Sequence, residues 1–178
     1  MQSFDAPDDA RLAQARQDFA DETLADELLA ATGGALSASR LYGYARRQGG
    51  PADLEIERLL RANPGARALY RRFVSAGALY HAPQAMAASS DAVPPRAGDH
   101  WRIVAERSQA EPGQYIVVVE LGEGHAQTPT TLVLCDREDA FHHFEVPQAV
   151  RGVIQLISGE DDALIRLLRD PATEVWLR

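Results

Sequence analysis

The side chains best equipped for chemistry gather in one stretch, Cys135, Asp136, Glu138, Asp139, His142 and His143, with His125 upstream of it. Thiolate, imidazole and carboxylate are zinc ligands and proton carriers. Their spacing argues against a shared site. The stretch reads as strand, in which neighbouring side chains leave opposite faces, so His142 and His143 cannot both join one site. Cys135 closes the apolar run Thr131-Leu132-Val133-Leu134-Cys135, where a small hydrophobe is the ordinary occupant. No HExxH or CxxC spacing accompanies these residues, no GxSxG turn presents a serine, and Gly122-Glu123-Gly124 is too short for a phosphate loop. The pattern favours a buried cysteine, surface histidines and a solvated acidic turn. His125, Cys135 and His142 remain the residues of an alternative reading, a small enzyme or metal-dependent sensor.

A second concentration is basic. Residues 36–80 carry eight arginines against three acidic residues, while residues 1–35 carry two against eight and residues 98–178 carry seven against fourteen. Arg40, Arg46, Arg47, Arg58, Arg61, Arg67, Arg71 and Arg72 are interleaved with Tyr42, Tyr44, Tyr70 and Phe73. As a nucleic-acid surface this island would need its arginines on one face, and its acidic flanks would repel phosphate. A protein-binding surface, or contact with the chain's own acidic first helix, fits better. Nucleic-acid binding through these helices is kept as a second alternative.

The elements that must position these residues fall into two kinds. Asp8 and Asp9 can cap a helix carrying Leu12, Phe19, Leu24 and Leu28, with Gly33-Gly34 as its stop. Ser37 or Ser39 can cap a short helix with Leu41, Tyr42 and Tyr44, and Pro51 suits the first turn of another carrying Leu54, Ile56, Leu59 and Leu60. Asn63-Pro64 reads as an N-cap followed by proline at the first helical position, opening a helix with the stripe Ala66, Leu69, Tyr70, Phe73, Val74 and Tyr80. From residue 81 to 98 three prolines and no apolar period predict a linker. Beyond it the period changes to alternation, with strands expected at 101–105, 115–119, 131–135, 141–146, 152–157 and 174–177 and one short helix from about 161 to 169. Tyr115 to Val119 is apolar on both faces, as in a central strand. The expectation is an α+β chain: helical bundle at 1–80, linker at 81–98, and a mainly antiparallel, sandwich-like β domain at 99–178.

Composition bounds the rest. All 18 basic residues are arginine, which reads as coding bias, and a net charge of −8 disfavours coating nucleic acid or anionic membrane with the whole surface. One cysteine cannot form an internal disulfide, and the acidic Met1–Asp9 start lacks the regions of a signal peptide. No window has the apolar length of a membrane span. These features predict a cytoplasmic location and no membrane partner.

The segment from Leu41 to Val74, LYGYARRQGGPADLEIERLLRANPGARALYRRFV, resembles the N-terminal helical module of bacterial anti-sigma factors. The matching residues are Leu41, Tyr44, Ile56, Glu57, Leu60, Asn63, Pro64 and Arg67, and the segment covers about a fifth of the chain. Zinc-binding members of that family place an H-x3-C-x2-C pattern where this sequence has Leu59, Asn63 and Ala66, none of which can hold zinc. The resemblance therefore implies a zinc-free module held by its apolar stripes. It further implies a regulatory, non-catalytic transcription regulator whose partner is a sigma factor. The expected partner-binding residues are Leu41, Tyr44, Arg47, Leu60, Arg67, Tyr70 and Phe73, with no cofactor and a homodimer possible through the β-rich part.

Overall fold

A computed structural model of the chain describes residues 37–47, 53–83, 92–122 and 128–178. The first predicted helix, with Leu12 to Leu28, and His125 lie outside the described residues. Within them the fold is mixed α and β, with two antiparallel sheets. The chain divides into two compact units. One holds α1 (Ala38–Ala45), α2 (Leu54–Ala62) and α3 (Pro64–Ala76) as far as Arg71; the other holds the end of α3 and every strand.

In the helical unit, local chemistry sets each boundary. Ser37 Oγ accepts the Arg40 amide at the start of α1. Asp53 caps α2 by accepting from the Glu55 and Ile56 amides, at a position one turn later than Pro51 would place it. Asn63 ends α2 in extended conformation and starts α3, its Oδ1 accepting the buried Ala66 amide at 3.0 Å, with Pro64 at the first helical position. The buried faces are Leu41 and Tyr44 on α1, Ile56 and Leu60 on α2, and Ala66, Leu69, Tyr70 and Val74 on α3. Polar links cross between helices. The Tyr44 hydroxyl donates to Glu57 at 2.5 Å, Arg40 reaches Asp53 and Glu55 at 2.8 and 2.7 Å, and the Tyr44 and Tyr70 rings lie 5.8 Å apart.

The strands are β1 (Tyr80–Ala82), β2 (Arg96–Gly98), β3 (Trp101–Arg107), β4 (Gln114–Leu121), β5 (Thr131–Cys135), β6 (Phe141–Glu145), β7 (Val153–Gly159) and β8 (Glu174–Leu177); α4 (Ala163–Arg169) lies between the last two. Sheet I has the order β1-β8-β5-β6 and sheet II the order β2-β3-β4-β7. One core lies between them, filled by Tyr80, Leu132, Leu134, Val175 and Leu177 from sheet I and Trp101, Ile103, Val117, Val119 and Ile154 from sheet II, with Leu164, Ile165 and Leu168 of α4. Two findings correct the sequence reading. The predicted linker contributes a strand at each end, β1 and β2, and Tyr80, expected on the stripe of the last helix of the bundle, lies in β1 because α3 stops at Ala76. Tyr115 to Val119 is central in its sheet, but only one face enters the core, leaving Ile116 exposed on the other.

The sheets differ in how they are covered. Every residue of β5 is buried, because the outer face of sheet I is covered as well. There Trp176 is fully buried, stacked on the His81 ring at 5.1 Å, and its indole N–H donates to Ser75 Oγ in the last turn of α3 at 3.0 Å. Sheet II alternates, with the outward residues of β3 and β4 half-buried or exposed.

Candidate functional site

The chemistry-bearing stretch forms the connection between β5 and β6. Asp136 Oδ1 accepts the Glu138 and Ala140 amides, each at 2.9 Å, while its Oδ2 lies 3.0 Å from His142 Nε2. Asp139 takes a left-handed conformation, φ 60°, that closes the turn. Partial burial works to raise the Asp136 carboxyl, but the His142 contact and the two amides outweigh it and leave its pKa below the ordinary value. An imidazole held by a carboxylate is half of a proton-transfer device. Among the described residues it has no reacting group beside it.

Cys135 does not supply one. The register pairs Cys135 with Phe141, Leu134 with His142 and Val133 with His143, so His142 shares a face with Leu134, and Cys135 and His143 share the opposite one. Cys135 is buried, its sulfur 3.7 Å from the Asp136 carbonyl. Burial, and then the positive charges of Arg47, Arg178 and His142, lower the His143 pKa to about 4, which keeps that ring neutral near pH 7. Among the described residues no three His, Cys, Asp or Glu side chains come together as a metal site. His142 and Asp136 thus meet, whereas Cys135 stays apart from them.

Of the expected partner-binding residues, Leu41, Tyr44, Leu60 and Tyr70 are buried, and Arg47, Arg67 and Phe73 are half-buried. Arg67 Nη1 donates to the Leu60 and Arg61 carbonyls at 3.0 and 3.1 Å, satisfying the end of α2. Arg40 is engaged by Asp53 and Glu55, so the basic island does not present all its charge outward. The solvent-facing side of α2 carries Leu54, 66% exposed, with Arg58 and Arg61 exposed at spacings of four and then three residues. These residues share one helical face opposite Ile56 and Leu60. The sequence groups Leu54 with Ile56, Leu59 and Leu60, whereas the structure puts it on the exposed face with Arg58 and Arg61.

A shallow depression of about 360 Å³ lies at one end of sheet II, lined by Ala97, His100, Trp101, Arg102, Glu120, Leu121 and Gly122. Arg102 and Glu120 form a two-bond ion pair across it, at 2.6 and 3.0 Å, which neutralises its charged groups against each other. Among the described residues no helix is long and apolar enough to cross a membrane.

Comparison with protein-family models, with curated proteins and with solved structures finds no match to this chain.

Proposed function

We propose that the chain is a non-catalytic, protein-binding regulator whose helical unit docks on an acidic surface of a partner, in the manner of a zinc-free anti-sigma module. The observation that carries this reading is the α2 stripe Leu54, Arg58 and Arg61. A large exposed aliphatic residue is flanked on one face by two exposed guanidinium groups, a composition suited to an apolar anchor with a charged rim. The Asn63 cap lends support: it ties Asn63 to Ala66 by a hydrogen bond, at two positions where the zinc-binding relatives of the resembling family use metal ligands.

Calorimetric titration of the purified chain against bacterial sigma factors tests the reading. One sigma factor is expected to bind. Combining Leu54→Ala, Arg58→Glu and Arg61→Glu is expected to weaken that binding by at least about tenfold without changing the circular dichroism spectrum. If no sigma factor binds, or if the triple variant binds as well as the wild type, the proposal fails.

A further inference from the structure

The outer face of sheet I is covered, but that of sheet II is open and has a definite chemistry. Strand pairing lays its outward residues in rows. One row joins Arg102, Glu120 and Val153, and its two charges neutralise each other. Another joins Glu106, Ile116 and Ile157, so that two exposed isoleucines lie beside a carboxylate. Ile157 is 72% exposed, and the half-buried Val104 and Val118 of the row between extend the aliphatic surface. Single exposed aliphatics need no explanation, whereas neighbouring ones form a patch.

The end of the sheet next to the Glu106 row is acidic. Glu111 lies in the turn from β3 to β4 and Asp161 in the turn from β7 to α4, and both are exposed, as Glu106 is. None of these three carboxylates has an ion-pair partner among the described residues, whereas Glu160 is held by Arg107 and Arg169. The patch is an aliphatic seat with a carboxylate rim. The complementary chemistry stands on α2, where exposed Leu54 is followed by the exposed guanidinium groups of Arg58 and Arg61. Spacing agrees with charge. Arg58 and Arg61 lie roughly 6 and 10 Å along the helix from Leu54. Neighbouring strands are about 4.8 Å apart, which puts Glu106 roughly 5 Å from Ile116 and 10 Å from Ile157.

We infer that α2 of one copy of this chain docks on the outer face of sheet II of a second copy, with Leu54 on Ile116 and Ile157 and Arg58 against Glu106. Charge selects this occupant. The carboxylate rim repels an acidic segment and attracts a basic one, and α2 joins an exposed aliphatic side chain to two arginines that have no ion-pair partner among the described residues. The contact brings together two different surfaces, so it runs head to tail. It rests on the reading of α2 as a docking face and supplies its regulation. An α2 seated on a second copy is withheld from the partner, so self-association and partner binding compete.

Analytical ultracentrifugation of the full chain, with no partner added, tests the docking. The expected result is association that grows with concentration and weakens as salt rises. Glu106→Arg and Arg58→Glu, both at exposed positions, should each weaken it by about tenfold, because each sets like charges together. Mixing the two variants should restore association, since the first keeps Arg58 on its α2 and the second keeps Glu106 on its sheet. A wild type that stays monomeric at all concentrations overturns the inference. So does association that either variant leaves unchanged, or a mixture that associates no better than the single variants. The sigma-factor titration is decided separately: sigma binding by a chain that stays monomeric removes self-docking alone, and self-association without sigma binding removes the sigma partner alone.

Discussion

The guanidinium of Arg96 donates to the carbonyl of Leu168, 72 residues along the chain, at 3.2 Å. It also donates to the carbonyls of Asp170 and Pro171, at 2.6 and 3.1 Å, so one fully buried side chain satisfies the end of α4. Burial lowers its pKa against the opposing pull of Asp170, but a guanidinium stays charged at any pH the protein meets. The charge is tolerated because carbonyl oxygens surround it. Arg96→Ala is expected to destabilise the protein by about 2–4 kcal/mol, since it removes charge-assisted bonds and strands buried carbonyls. Urea unfolding followed by circular dichroism measures this, and a loss below about 0.5 kcal/mol would show that water replaces the guanidinium at no cost.

Gly98, two residues on, admits no side chain. A Cβ there would collide with the Trp101 indole and approach the His81 carbonyl to 2.9 Å. Because the carbonyl is backbone and Trp101 is locked in the core, neither can give way. Gly98→Ala is expected to cost about 1–3 kcal/mol, read as a lowered thermal midpoint.

His143 makes stability depend on pH. Its folded pKa, about 4, lies below the ordinary value of 6.5, so its contribution is complete above pH 6.5 and is lost as pH falls toward 4. The loss amounts to at most about 3 kcal/mol across that window. His143→Gln should flatten the curve of unfolding free energy against pH between these limits. A variant with the same slope as the wild type would assign the acid sensitivity elsewhere.

Asp136 acts lower on the scale. Its folded pKa lies below the ordinary value of 3.8, so its contribution is present above that value and disappears as pH falls through the folded pKa. Asp136→Asn should be less stable than the wild type at pH 7, and the difference should narrow in acid below about pH 4. Parallel curves at pH 7 and pH 3 would rule the carboxylate out as the cause.

Asn63→Ala removes the side-chain acceptor that starts α3 and is expected to cost about 1 kcal/mol. Asn63→Asp keeps an acceptor and should stay close to the wild type. Equal losses in both variants would point to packing around the break instead of the cap.

Much of the fold was legible wherever a local signal was strong. The runs Thr131–Cys135 and Glu174–Leu177 form strands at the expected positions, and the Asn63-Pro64 pair breaks and restarts the helix. Alternation along a strand also separates His142 from His143. Short elements carry no such period. β1 and β2 are three residues each, and nothing local to Arg96 announces that its partners are carbonyls at the far end of the chain. For the expected partner set the sequence signal is ambiguous in kind. An apolar stripe such as Leu41, Tyr44, Leu60 and Tyr70 identifies the face that leaves water, and the same stripe serves equally for a protein's own core or for a partner's groove.

The protein has two tryptophans, and their surroundings differ in kind. Trp101 lies in the core between the sheets, whereas Trp176 lies on the outer face of sheet I, with its indole N–H on Ser75 in the last turn of α3. With Trp101→Phe in place, the remaining fluorescence would come from a single indole at that helix end. Its emission wavelength would then follow the loosening of that turn from the sheet, an optical signal of motion built in by one hydrogen bond.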